Sequence, residues 1–250
     1  MNKKSIQVTA SILIIGNEIL SGRTQDVNIA TLSKWLNTLG VKTKEVRVIP
    51  DIEDIIIKTV NNLRNNFNYV FTTGGIGPTH DDITAESISK AFNVSYEFHK
   101  DAFKILEEYY SPGEFNEGRQ KMSKMPADAK LILNPSSGAP GFFVENVFCL
   151  PGVPIILQSM LGGLKYAIVG GNPTLSDTIN LKTVESEIAK SLTKIQNDNN
   201  EVEIGSYPFF KAGKVGVSIV LRSEYQKKIN ECKIEILNLV SKKNIKIIEK

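Results

Sequence analysis

Cysteine and histidine are scarce in this sequence, with only two of each among 250 residues. Cys149 and Cys232 lie far apart and no CxxC pair occurs. The sequence therefore indicates neither a disulfide framework nor a zinc cluster. We expect both cysteines to be reduced side chains that pack in the interior.

The sequence also lacks a long apolar run and a dense cluster of one charge. No apolar segment approaches the roughly 20 residues that a membrane span needs, and the formal net charge is only +3. The lysines are scattered and become more frequent only in the last third, whereas a nucleic-acid-binding protein usually carries a denser basic face. We expect a cytoplasmic protein with neither a membrane nor a nucleic acid as its partner.

What the sequence does contain is a regular alternation of strand and helix patterns. Three segments predict strands, and the segments 26–40 and 51–67 between them have helical spacing. The strands are the continuous apolar run "ASILIIG" (10–16), "VKTKEVRVI" (41–49) and the buried "YVFTT" (69–73). This order predicts right-handed βαβ crossovers in a parallel sheet. Residues 101–110 and 116–125 predict two further helices.

The glycine-rich segment "GGNPT" (170–174) is the best candidate for a linker. It divides the sequence into a domain of residues 1–170 and a smaller one of residues 171–250. The second part predicts the order βαββαβ, which is the ferredoxin-like arrangement. We assign the aromatic residues of "SYPFF" (206–210) to the core of this module.

The segment "TTGGIGPTHDD" (72–82) carries the strongest chemical signal. Gly74, Gly75 and Gly77 permit a tight strand-to-helix turn in which backbone N–H groups converge on a ligand. The following helix adds the positive end of its dipole. The segment matches neither a Walker P-loop nor a dinucleotide fingerprint.

Two hypotheses account for the adjacent carboxylates at the end of this segment. Asp82 is placed to cap the following helix, but one cap leaves Asp81 unexplained. Alternatively, both carboxylates hold a hard cation such as Mg²⁺ beside a phosphate. His80 adjoins them as an acid–base candidate, whereas we expect His99 to be a surface or helix-start residue.

A second polar loop, "GNEILSGRTQDVN" (16–28), follows the first strand. The carboxyl ends of neighbouring parallel strands share one sheet edge, where ligands bind in open α/β sheets. Glu18, Asp26 and Asn28 are its candidate site residues, with helix capping as the alternative role of Asp26. "NPSSGAPGFF" (134–143) and "LPGVP" (150–154) add two further loops.

These four loops occur in an order and spacing that resembles the MoaB/Mog (molybdopterin-binding) domain family. The similarity is to the version found at the amino terminus of CinA competence/damage-inducible proteins and of FAD synthetases, and it covers residues 10 to about 170. It implies an α/β fold with a three-layer α/β/α domain and a mostly parallel sheet, followed by the small ferredoxin-like α+β module. It also implies ligand binding around the glycine loop.

Two activities come with the resemblance. Our first hypothesis is a metal-dependent nucleotide pyrophosphatase, a hydrolase acting on ADP-ribose or an FAD-like dinucleotide. The alternative is a protein that binds or adenylylates molybdopterin, and a weaker alternative is an RNA-binding adaptor. We expect a nucleotide or pterin ligand, a divalent metal (Mg²⁺, with Mn²⁺ or Co²⁺ as substitutes) and a homo-oligomer.

The expected site residues follow from these motifs. The catalytic candidates are Glu18, Asp26, Asp81 and Asp82, of which Asp81 and Asp82 are also the expected metal ligands. The expected substrate-binding residues are Gly16, Asn17, Asn28, Thr73, Gly74, Gly75, Gly77, Pro78, Thr79, Thr84, Ser137, Gly138 and Gly152.

The sequence departs from its relatives in two respects. It has room for neither the amidase domain of CinA nor an FAD-synthesising domain, so neither activity is expected. Many CinA proteins have a glutamate two positions after the "LPGVP" turn, where this sequence has Ile155 and Ile156.

Overall fold

The structure is a computed structural model that describes residues 7–211 and 214–248. The chain divides into two compact units, Met1–Gly171 and Asn172–Lys250. Within the described ranges, no helix combines the length and the apolar character that a bilayer crossing requires.

The first unit alternates strands and helices over most of its length. Its elements are β1 (Val8–Ile15), α1 (Asn17–Leu20), α2 (Asn28–Thr38), β2 (Val41–Ile49), α3 (Glu53–Asn66), β3 (Tyr69–Thr73), α4 (Thr84–Phe92), β4 (Tyr96–Phe98), α5 (Lys100–Tyr109), α6 (Glu117–Lys121), β5 (Lys124–Pro126), β6 (Lys130–Ile132), β7 (Gly141–Val144), β8 (Val147–Leu150) and α7 (Pro154–Leu164). A short 3₁₀ helix, Lys165–Ala167, follows α7.

Six of these strands form one mixed sheet in the order β2-β1-β3-β8-β7-β6. The first four are parallel, and β7 and β6 are antiparallel to their neighbours. β4 and β5 form a separate antiparallel pair. The predicted mostly parallel sheet is confirmed.

Helices cover both faces of this sheet, which explains why β1 is apolar without alternation. Leu13 and Ile15 of β1 belong to a core cluster with residues of α3 and α4. Ile12 and Ile14 belong to a second cluster with residues of α2 and α7. Successive side chains of one strand thus enter opposite layers, and the predicted three-layer α/β/α fold is confirmed.

The second unit is a small antiparallel sheet with two helices. Its elements are β9 (Leu175–Lys182), α8 (Glu185–Asp198), β10 (Glu203–Lys211), β11 (Lys214–Ser223), α9 (Gln226–Lys242) and β12 (Lys246–Ile247). The strand order is β10-β11-β9-β12, with antiparallel pairing throughout. The predicted ferredoxin-like arrangement is confirmed.

Two local predictions are wrong. The expected helix over 116–125 ends at Lys121, because Lys124–Pro126 pairs with β4. Two of the three aromatic residues of β10 are not core, since Tyr207 and Phe210 are exposed, whereas Phe209 is half-buried. Both cysteines are free and buried, as expected, and His99 caps α5 by accepting from Ala102 N at 3.3 Å.

Candidate functional site

The candidate site lies at the edge of the first sheet where its parallel strands end. The loops that follow β1, β3 and β8 leave the sheet at this edge. The loop before β7 reaches the same edge because β7 runs antiparallel to β8. All four polar loops that the sequence singles out therefore meet here.

Two glycines with left-handed backbone angles form the centre of the site. Gly74 has φ +99° and Gly75 has φ +67°. A Cβ on Gly74 would lie 2.2 Å from Ile15 O, and one on Gly75 would lie 2.1 Å from Thr84 Oγ1. Neither position has room for a side chain, so the backbone of this turn packs directly against β1 and the start of α4.

Hydrogen bonds fix both ends of the glycine turn. Gly74 N donates to Leu150 O at 3.1 Å, which joins the turn to the end of β8. Thr84 N donates to Gly75 O at 2.9 Å and joins it to the first residue of α4. The Thr84 hydroxyl oxygen is buried beside Gly75 and has no hydrogen-bond partner among the described residues.

Asp82 closes the remainder of this loop instead of capping α4. Its Oδ2 accepts from Thr79 N at 2.8 Å and from Thr79 Oγ1 at 2.5 Å. α4 begins at Thr84, and its N-cap residue Ile83 provides no side-chain cap. The capping hypothesis for Asp82 is therefore wrong, because the carboxylate is held by its own loop.

Asp81 is exposed and differs from its neighbour. Hydrogen bonding from the Thr79 hydroxyl and from the backbone of Asp81 itself lowers the pKa of the Asp81 carboxyl, and His80 and Lys121 add a smaller electrostatic effect. The Thr79 hydroxyl has a single proton and can serve only one of the two carboxylates at any instant. Asp81 therefore presents an ionised carboxylate to solvent at neutral pH.

Lys121 is a residue of this site that the sequence did not reveal. Its Nζ donates to Thr79 O across 42 residues of chain. Together with Gly77, Asp82 and Pro140 it lines a small depression beside the glycine loop. α6 thus places a positive charge next to the two carboxylates.

A larger pocket opens on the other side of Gly74. It encloses about 60 Å³, room for a few water molecules. Its lining includes predicted site residues from three of the loops: Glu18, Asp26 and Asn28 after β1, Thr73 and Gly74 in the glycine loop, and Gly152 after β8.

Two side chains hold the wall of this pocket in place. Asn28 Nδ2 donates to Gly152 O at 2.7 Å and so joins the loops after β1 and β8. Asp26 Oδ1 accepts from Ile29 N at 2.9 Å, in the first turn of α2. Asp26 therefore has the alternative role expected for it, a hydrogen bond to the start of α2, and it also lines the pocket.

Gly16 and Asn17 join the site to β2. Gly16 N donates to Ile49 O at 3.1 Å. Asn17 N donates to Asp51 Oδ2 at 2.9 Å, which brings in a carboxylate from the first residue of the predicted helical segment 51–67. The position of Asp51 at the end of β2 was the available signal, since that end shares the sheet edge.

Ser137 and Gly138 are engaged mainly within their own loop. Asn134 Nδ2 donates to Ser137 Oγ at 2.7 Å, and Asn134 Oδ1 accepts from Ser137 N at 3.1 Å. A Cβ on Gly138 would lie 2.6 Å from the ring of Tyr109. Pro140 and Phe142 are the residues of this segment that line the depression beside Gly77.

The remaining predicted residues belong to the glycine loop itself. A Cβ on Gly77 would lie 2.7 Å from Asp82 Oδ2. Pro78 packs against α6, where a Cβ on Gly118 would lie 3.3 Å from Pro78 O. The loop is thus supported by α6 on one side and by α4 on the other.

The protein atoms alone do not form a complete metal site in the described part of the chain. No group of three or more His, Cys, Asp and Glu side chains there could hold a metal ion. Mg²⁺ commonly binds one or two carboxylates together with phosphate oxygens. Asp81 and Asp82 therefore fit a cation only if a phosphate-bearing ligand supplies further oxygen atoms.

Both parts of the chain match models of known families. Residues 11–169 match the family described as a probable molybdopterin binding domain. Residues 173–248 match the middle domain of FAD synthase.

Individual relatives agree with these matches. A protein from Archaeoglobus fulgidus is 35% identical over 197 residues, which cover 79% of this chain and 84% of the relative. A Clostridium botulinum protein named as competence-damage inducible is 29% identical, and the match covers 88% of this chain but only 56% of that relative. The crystal structure of the protein CinA, of unknown function, from Thermoplasma acidophilum superposes with a TM-score of 0.61 at 31% identity, covering 64% of this chain and 96% of that one.

Proposed function

The chain belongs to the MoaB/Mog/CinA-like family of molybdopterin-binding domains, and from that membership we propose that its sheet-edge site binds a phosphate-bearing pterin of the molybdopterin type. The glycine turn receives the phosphate, and the pocket beside Gly74 receives one edge of the ring. The observation that carries the proposal is the pair of positive-φ glycines between the pocket and α4.

The physical support lies in the shape and charge of the turn. A turn without side chains lets a phosphate approach the backbone closely, and N–H groups at a helix start favour a negative charge. Lys121 adds a positive charge beside the loop. The carboxylates of Glu18 and Asp26 lie in the lining of the ring pocket, where a neutral ring meets less repulsion than a phosphate would.

Direct binding tests this proposal. Molybdopterin titrated into the full chain should raise the thermal midpoint, because a ligand that binds only the folded state stabilises it by about 2.7 kcal/mol at a concentration of 100 Kd. Gly75→Ala should weaken binding at least tenfold. Absence of any molybdopterin binding would contradict the proposal.

Gly113→Ala is the matched control for this variant. Gly113 also has a positive φ, +86°, but a Cβ there meets no atom within 4 Å. Both variants place alanine in a strained conformation, and only Gly75→Ala obstructs the turn. Equal loss of binding in the two variants would mean that general destabilisation, and not obstruction of the site, causes the loss.

A second function, metal-dependent hydrolysis of a dinucleotide pyrophosphate, is favoured by one observation. Asp81 offers an exposed carboxylate of lowered pKa beside the glycine loop, where it would hold Mg²⁺ together with Asp82 and the phosphates of ADP-ribose or FAD. Glu18 or Asp26 would orient the water. The match of the second unit to the FAD synthase middle domain agrees with such a substrate.

Product analysis separates the two functions. Protein with Mg²⁺, Mn²⁺ or Co²⁺ should release AMP from ADP-ribose or FAD, and Asp81→Asn should lower the rate at least a hundredfold. Asp101→Asn, an acidic residue in the first turn of α5 away from the site, is the control. No turnover with any of the three metals would discard hydrolysis and leave the binding proposal intact.

A further inference from the structure

Asn28 is a buried residue whose side-chain amide forms a hydrogen bond through its nitrogen but, among the described residues, none through its oxygen. It is the first residue of α2, and only 3% of its surface is exposed. Its Nδ2 donates to Gly152 O at 2.7 Å. Because a backbone carbonyl can only accept, this bond fixes the orientation of the amide and identifies the other atom as Oδ1.

Asn28 Oδ1 has no hydrogen-bond partner in the part of the chain that the structure describes. A buried acceptor without a partner costs about 1–3 kcal/mol. Asn28 belongs to the lining of the pocket beside Gly74. The missing donor is therefore expected from whatever occupies that pocket.

The carboxylates in the lining of the pocket also favour a ligand group that donates hydrogen bonds. Its lining contains the carboxylates of Glu18 and Asp26 and the polar side chains of Thr24 and Gln25, and among the residues that the structure describes no lysine, arginine or histidine lines it. The lining is mainly apolar, and the charged side chains in it are the two carboxylates. The positive charge of Lys121 lies instead beside the glycine loop. The pocket beside Gly74 therefore favours a hydrogen-bond donor, and the glycine loop favours an anionic group.

We infer that Asn28 Oδ1 accepts a hydrogen bond from an amine on the ring of the ligand, so that the amine-bearing edge of the ring enters this pocket and the anionic group lies at the glycine turn. The inference rests on the proposed function and adds a specificity-determining residue to it. It sets a ligand class: a heterocycle with an exocyclic amine beside a ring N–H, linked to a phosphate.

A cation is the competing occupant for an acceptor-rich pocket. The described residues offer no group of three or more acidic, histidine or cysteine side chains that could hold a metal. An amide oxygen with two carboxylates is a sparse ligand set for a hard cation, which takes six or more oxygen atoms. The observations therefore favour an organic donor, and metal dependence becomes an outcome of the test.

Two synthetic ligands that differ at one group test the inference. One is 6-hydroxymethylpterin monophosphate, and the other is the corresponding lumazine monophosphate, in which a carbonyl oxygen replaces the 2-amino group. Binding to the full chain is measured by ring fluorescence without added metal. The pterin should bind at least tenfold more tightly, because in the lumazine an acceptor faces the Asn28 acceptor.

Asn28→Ala should bring the ratio of the two affinities close to one. Asn66→Ala is the matched control, since Asn66 Nδ2 also donates to a backbone carbonyl, Asn62 O at 2.7 Å, but on α3 outside the pocket lining. The control should keep the wild-type ratio. If Asn28→Ala does not fold, the wild-type ratio alone decides.

Three results would overturn the inference. They are equal binding of the two ligands, no binding of either at millimolar concentration, and pterin binding that requires a divalent metal. Molybdopterin binding measured in parallel distinguishes failure of this inference from failure of the proposed function. If molybdopterin binds but the pterin and lumazine ligands bind equally well, only the role of Asn28 is wrong. If molybdopterin does not bind, the proposed function itself fails.

Discussion

Single residues in the glycine loop show how neighbours in sequence acquire different roles. Asp82 is held by two hydrogen bonds from Thr79 and shapes the loop, whereas Asp81 faces solvent. Lys121 binds the carbonyl of the same threonine. Thr79 is therefore the residue through which both carboxylates and the nearby cation are arranged.

The lowered pKa of Asp81 predicts a pH-dependent stability. Its folded-state pKa lies below the ordinary value of 3.8, so the ionised form stabilises the fold above the unfolded-state pKa, and that stabilisation is lost as the pH falls through the folded-state value. Wild type should exceed Asp81→Asn in urea stability at pH 6, and the gap should close below about pH 4.

Thr79→Val tests the cause of this shift. It removes the hydroxyl, so the pKa of Asp81 measured by NMR titration should move up towards 3.8. A stability gap between wild type and Asp81→Asn that stays constant from pH 7 to pH 2.5 would contradict the assignment.

Among the secondary-structure elements, helix α7 contains two glycines that lower its stability. Gly162 and Gly163 lie near its end, and a Cβ on either would meet no atom within 4 Å. Glycine inside a helix costs about 0.5–1 kcal/mol relative to alanine. Within the described structure, no close packing accounts for these two glycines.

Alanine at these positions should therefore stabilise the protein. Gly162→Ala and Gly163→Ala should each raise the free energy of unfolding by about 0.5–1 kcal/mol, measured by urea denaturation. Gly113→Ala, at a positive φ, should lower it. A loss of stability in the α7 variants would show that the glycines serve a contact made outside this chain.

The elements also show what the sequence could predict. β3 begins and ends where its apolar pattern does, because a strand buried between two layers carries its own signal. The edge strand β2 also matches its predicted range, 41–49. Residues 122–126 carry no such signal, and their strand depends on pairing with β4. The sheet edge was predictable from strand order, but the contacts of Lys121 and Asp51 were not, since each joins loops more than 30 residues apart.

At the scale of the whole molecule, each unit has its own core and its own cysteine. Cys149 lies in a core of the first unit and Cys232 in that of the second. Burial raises the pKa of the Cys149 thiol to about 12 and that of Cys232 to about 11. Neither thiol is ionised at neutral pH, so each is unreactive while its unit is folded.

Alkylation should therefore report the two units separately. At pH 8 the native protein should resist iodoacetamide, and with rising urea the two cysteines should become labelled at different midpoints, read by peptide mass spectrometry. Fully denatured protein, in which both thiols react rapidly, is the control. A single shared midpoint would mean that the two units unfold as one.

The bond between Asn28 and Gly152 has a consequence for the order of events during synthesis. It joins residues 124 positions apart, and contacts of such long separation form only after a large loop has closed. On a ribosome, a chain shorter than about 152 residues has the helix that begins at Asn28 but not the turn that completes the pocket. The proposed ligand therefore requires that most of the first unit has emerged before its pocket is complete, so we expect it to bind the finished domain instead of guiding its folding.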